Sequence, residues 1–262
     1  MSQIKYKVMG ELEGIESFLF IDEVKNSTNN GDLDNSFYYF AVAVPKSVTQ
    51  SVRQELQALI GHLPNGFHAK NLYKARRPDL SLMNAIADLM VKYKLVGICY
   101  RYDRDLLYDR TITYVQPHIS DPHIAGRMAN WEFQAFFYFI QNLYHIPERA
   151  IEKIAYPICC FIDRGIYGVN EIEGIDFTFG DWVKRAVFVS RDDLSELALP
   201  DHLGYIFSKC RKAYQALQPP VDLIATLQST PYGQQIIKLL HNRLFCYIEA
   251  EQWFEKLSKN DL

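Results

Sequence analysis

The stretch SFLFIDE, Ser17 to Glu23, runs an apolar segment, Phe18 to Ile21, straight into two carboxylates. Phe and Ile favour extended backbone, and a short apolar run without alternation reads as a strand buried on both faces. Burial of that kind belongs to the central strands of a helix-covered sheet. A carboxylate at the carboxyl end of such a strand lies where open α/β sheets place their chemistry. The stretch YPICCFID, Tyr156 to Asp163, has the same shape and also ends in Asp. Two buried strands of this kind can bring Asp22 and Asp163 close together.

Working outward, Lys25 to Asn35 (KNSTNNGDLDN) is dense in turn residues, and Ser36 to Val44 (SFYYFAVAV) reads as a second strand stopped by Pro45. Ser47 to His62 carries Val48, Val52, Leu56, Leu59 and Ile60 at helical spacing, and Asp79 to Tyr93 carries Leu82, Ile86, Leu89 and Met90 likewise. Leu95 to Tyr102 reads as a strand, and Asp103 to Pro122 as a solvated crossover or a lid. One long helix is expected from His123 to Ile146, apolar nearly all round. After the Asp163 strand, a glycine-bearing segment leads to a short strand at Ala186 to Ser190. A helix opening at Pro200 turns Leu203, Ile206, Phe207 and Cys210 inward, and a last helix spans Gly233 to Leu257. Strands alternate with helices, there is no internal repeat, and no linker separates two domains. The expectation is one α/β domain over residues 1–262, with a core at about 17–216 and a C-terminal helical extension at 217–262.

The net charge of −3 gives no global basic field, so any nucleic-acid surface must be local. The five cysteines show no CxxC spacing and read as small buried hydrophobes. No signal peptide and no membrane span is recognisable, so the chain is expected to be soluble and cytoplasmic. No GxxxxGK[ST] or GxGxxG follows a strand and no GxSxG elbow occurs, which disfavours nucleotide cradling and serine hydrolysis.

Asp22 and Asp163 end buried strands, and Asp201 opens a helix just behind a short one. Hard oxygen ligands of this kind suit Mg²⁺ or Mn²⁺, and a shared carboxylate can bridge two ions flanking a phosphodiester. Asp201 beside Pro200 equally suits the positive end of its own helix. Glu23 turns to the opposite face if the strand continues through it, and joins the cluster if the strand has ended. His68, in GFHAKNL, suits a metal ligand, a proton shuttle or a phosphate contact. Lys70, Lys74, Arg76 and Arg77 around Tyr73 form the clearest basic run, fitted to phosphates or simply to solvent.

FIDEV (Phe20–Val24), FHAKNL (Phe67–Leu72), FIDRGI (Phe161–Ile166) and ALPDHLGYIF (Ala198–Phe207) together resemble, in order and rough spacing, the landmarks of the domain-of-unknown-function 3800 family. The resemblance covers about residues 18 to 207. It implies a ribonuclease H-like mixed sheet flanked by helices, with the Asp22 strand central beside the Asp163 strand and an added C-terminal helix. It also implies two-metal phosphodiester hydrolysis: Asp22 bridges two Mg²⁺ or Mn²⁺ ions, Asp163 and Asp201 hold one each, and water attacks in line. Family members are mostly prokaryotic and often lie beside mobile-element or phage-defence genes. The chain departs from the family pattern at Val24-Lys25, where Ser-Gly is usual, at Phe67, where an acid is frequent, and at Ala198 and Pro200, which replace a Gln-x-Ala.

Two expectations follow. The first is a metal-dependent nuclease acting on DNA or RNA, an effector of a phage-defence or toxin system. The second is a catalytically impaired interaction subunit of the same fold, contacting a partner protein encoded in a defence operon. A fourth acidic ligand near Asp22, Asp163 and Asp201 separates the two, and Asp192 and Asp193 are candidates for it.

Overall fold

Phe18 to Ile21 form the interior of β1 (Ser17–Lys25), with relative exposures of 0–3%. The computed structural model describes residues 13–25, 36–63, 66–73, 78–120, 122–143, 154–163, 174–175, 182–189, 194–215 and 230–249. The other strands are β2 (Ser36–Pro45), β3 (Val96–Asp103), β4 (Ile158–Asp163), β5 (Gly174–Ile175), β6 (Val183–Val189) and β7 (Phe245–Glu249). They form one seven-stranded sheet in the order β5-β6-β4-β1-β2-β3-β7. β1 pairs antiparallel with β2 and β2 with β3, whereas β4, β6 and β7 join their inner neighbours in parallel. The fold is therefore α/β on a mixed sheet, with β1 at its centre.

Helices cover both faces. α1 (Thr49–Ile60), the short α2 (Ala69–Tyr73) and α3 (Leu80–Lys92) lie on one side with α7 (Ala198–Gln215) and α8 (Pro231–His241). Phe207 of α7 packs its ring against Tyr38 and Phe40 of β2 and Tyr247 of β7. Gly97 of β3 admits this approach: a Cβ there would stand 2.9 Å from the Leu203 side chain. On the other side are α4 (Arg104–Tyr114), α5 (Pro122–Arg127) and α6 (Trp131–Leu143). Tyr39 of β2 stacks on Phe139 of α6 at 5.9 Å, and Tyr102 donates to Gln134 Oε1 at 2.6 Å.

Two expectations are corrected. The helix expected from Gly233 to Leu257 ends at His241, and the chain returns as β7 beside β3. Arg243, at φ 56°, makes the turn, and the alternation of Phe245 and Tyr247 suits a strand. The C-terminal part thus adds a strand to the sheet as well as a helix. The single helix expected over His123–Ile146 is two, because Asn130 accepts the Phe133 N–H at 3.1 Å and starts α6 afresh. Asp103–Pro122, expected as a crossover or a lid, lies in the connection from β3 to the parallel β4 and is mostly helical, with Asp103 accepting from the N–H groups of Asp105 and Leu106 as the cap of α4. Among the described residues no helix is long and apolar enough to cross a membrane.

Candidate functional site

The parallel register of β1 and β4 runs from Ser17 beside Ile158 to Ile21 beside Ile162. The next residue in each strand is Asp22 and Asp163. Neighbouring strands lie about 4.8 Å apart, and residues level with one another point to the same face. Phe20 and Phe161, two residues earlier, share that face and stack at 5.6 Å. Asp22 also pairs with Phe40, whose ring meets Phe207, so the two carboxylates lie on the side covered by α7. Both are buried, at 3% and 9% exposure. Asp22 Oδ1 accepts the Glu23 N–H at 3.0 Å. Because β1 continues to Lys25, the Glu23 side chain falls on the opposite face, with Ile21 and the α6 side of the sheet.

Asp201 stands in the first turn of α7, on the same side of the sheet as Asp22 and Asp163. It is half-buried, and its Oδ2 accepts the Ala69 N–H at 3.0 Å. That bond draws the His68 segment to the start of α7. His68 and Lys70 are exposed on either side of the buried Ala69. The next residue of α7, His202, is fully buried, and its Nδ1 shares a 2.9 Å hydrogen bond with Tyr73 Oη. Burial pulls the His202 imidazole down to about 3 and pushes the Tyr73 hydroxyl up, with the negative charges of Asp201 and Asp79 adding to the latter. Lys74, Arg76, Arg77, Asp192 and Asp193 lie outside the described residues.

A further buried carboxylate, absent from the sequence reading, is Glu196, in the single turn of 3-10 helix Ser195–Leu197 that leads into α7. It is 0% exposed and packs beneath Arg53 of α1, whose Nε and Nη2 each lie 2.7 Å from Glu196 Oε1. Ser195 Oγ donates to the other oxygen at 3.2 Å. The two partners are 143 residues apart, and no local pattern in the sequence joins them.

The structure therefore brings Asp22 and Asp163 together, ties Asp201 to Ala69, and sets Glu23 across the sheet. Among the described residues no group of three or more His, Cys, Asp and Glu side chains is arranged to hold a metal ion. Two adjacent carboxylates supply hard oxygens, a donor set that suits Mg²⁺ or Mn²⁺, and Mg²⁺ is commonly held by one or two carboxylates together with substrate phosphates. No family model, no curated protein and no solved structure matches the chain.

Proposed function

We propose that the chain is a metal-dependent nuclease, hydrolysing phosphodiester bonds of DNA or RNA on a ribonuclease H-like sheet. The observation that carries this reading is the level placement of Asp22 and Asp163 at the carboxyl ends of two adjacent, parallel, buried strands. Buried strand ends seldom carry Asp without a partner. The central position of β1 beside β4 is what the resemblance to the domain-of-unknown-function 3800 family implies. Asp22 and Asp163 are the residues that would hold Mg²⁺ or Mn²⁺, and the ions would supply Lewis-acid stabilisation of the phosphodiester oxygens and activation of water. The chain's own contribution is to fix two carboxylates on rigid strands, with Asp201 and His68 brought to one segment at the start of α7. Lys70, exposed beside His68, and the basic residues that follow it would contact phosphates.

A second reading is an interaction subunit of the same fold, in a defence complex, without catalysis. It is favoured by the Asp201 carboxylate, which accepts a backbone N–H rather than standing with Asp22 and Asp163 in a three-ligand group. Labelled single- and double-stranded DNA and RNA, incubated with Mg²⁺ or Mn²⁺ and with an EDTA control, separate the two. Cleavage that needs the cation and is abolished by Asp22→Asn and Asp163→Asn supports the nuclease. No cleavage of any substrate, or equal cleavage by both variants, gives the second reading precedence.

A further inference from the structure

We infer that Arg53 and Tyr73 are positioning residues for Asp201: the Arg53–Glu196 pair holds the 3-10 turn before α7 to α1, and the Tyr73–His202 pair holds the first turn of α7 to the His68–Tyr73 segment. The importance given to Asp201 rests on the nuclease reading; the positioning itself is a property of the fold. Three polar contacts tie the chain around the start of α7 to earlier elements, in the same order along the sequence: Arg53 of α1 to Glu196, and then Ala69 to Asp201 and Tyr73 to His202. The middle contact involves a half-buried carboxylate, the Tyr73–His202 contact is buried, and in the Arg53–Glu196 pair the carboxylate is fully buried under a partly exposed guanidinium.

Each outer pair resists displacement for its own reason. Glu196 is a fully buried carboxylate, and moving its turn away from Arg53 would leave that charge without its counter-ion in the interior. His202 has Tyr73 as the partner of its Nδ1, while its Nε2 is buried and makes no hydrogen bond among the described residues. The Tyr73 hydroxyl therefore sets the orientation of the ring. Tyr73 is itself fixed, since its carbonyl accepts from Tyr232 Oη at 3.1 Å and its ring meets Phe67, His202 and Tyr205 edge-on. The attachment of α7 to the sheet does not need these pairs. Leu203, Ile206 and Phe207 already bury its apolar stripe. What the pairs add is a fixed place for the helix start, where Asp201 is.

The test is amide hydrogen exchange on the full chain, comparing Ala69 with the strand amides of Phe20 and Phe161. Asp201→Asn, which weakens the acceptor directly, calibrates the response. In Tyr73→Phe and Glu196→Gln, Ala69 is expected to exchange about tenfold faster while the strand amides are unchanged. Should Glu196→Gln not fold, Tyr73→Phe, which removes only a hydroxyl, decides alone. An unchanged Ala69 rate in the folded variants overturns the inference. So does a parallel acceleration of all three amides, which would make the pairs contributors to global stability only. A wild-type chain that cleaves no nucleic acid yet shows the selective Ala69 response sinks the nuclease reading and leaves the positioning intact.

Discussion

Asp22 and Asp163 stand one residue beyond the Ile21–Ile162 rung of two parallel strands, and their side chains leave the sheet on the same face. Two ionised carboxylates so placed repel, by an amount on the order of 1 kcal/mol once hydrogen bonds and solvent share the field. Asp22→Asn or Asp163→Asn should therefore raise the melting temperature in EDTA by a few degrees. Scanning calorimetry measures this directly. A melting temperature that falls in both variants would mean that repulsion is not the dominant interaction between them.

The Arg53–Glu196 pair makes a separate stability prediction. Arg53→Ala leaves a fully buried carboxylate without its counter-ion and should destabilise the chain by about 3–5 kcal/mol. Replacing both members by apolar residues of similar size, Arg53→Met with Glu196→Leu, should restore most of that loss. Denaturant unfolding of the three proteins checks it. A double variant as unstable as Arg53→Ala would place the loss in packing rather than in the stranded charge.

His202 gives the fold an acid limb. Its imidazole titrates near 3 in the folded chain, against an ordinary 6.5, because burial opposes the charge. Between these values the unfolded chain binds a proton that the folded chain does not. The stability that depends on neutral His202 is thus complete above pH 6.5 and falls with pH by about 1.4 kcal/mol per unit. Unfolding of His202→Gln from about pH 7 to pH 4.5 should show a shallower decline than wild type. Parallel profiles would contradict the assignment.

Lys94 and Arg243 adopt left-handed backbone, at φ 54° and 56°, in the turns that lead from α3 into β3 and from α8 into β7. A side chain at such a position is strained, and glycine removes the strain at some entropic cost. Lys94→Gly and Arg243→Gly should each stabilise the fold by about 0.5–1 kcal/mol. A loss of stability in both, measured by chemical denaturation, would show that the lysine and arginine side chains do more than occupy the turn.

The strands bearing Asp22 and Asp163 were legible because a run of β-favouring apolar residues in each stops at a carboxylate. Their register was not, since nothing in either stretch states that Ile21 will meet Ile162. β7 was hidden by coincidence of spacing: Ile236, Leu239, Leu240, Leu244, Tyr247 and Ile248 fit one helical stripe as well as they fit a helix followed by a strand. The turn at Asn242–Arg243 uses left-handed backbone without the glycine that would have marked it. The fate of Asp201 was legible in part, as a residue at the start of a helix, but its bond to Ala69 depends on tertiary contact across 132 residues. Glu196 carried no signal at all, because a lone Glu before an apolar helix reads as solvated until Arg53 is placed over it.

Isothermal titration of the metal-free chain with Mn²⁺ tests the central claim, that Asp22 and Asp163 together form a divalent-cation site. The account predicts saturable binding to the wild type, strongly weakened in both Asp22→Asn and Asp163→Asn while the variants remain folded. Absence of binding to the wild type, or equal affinity in the wild type and both variants, would contradict it.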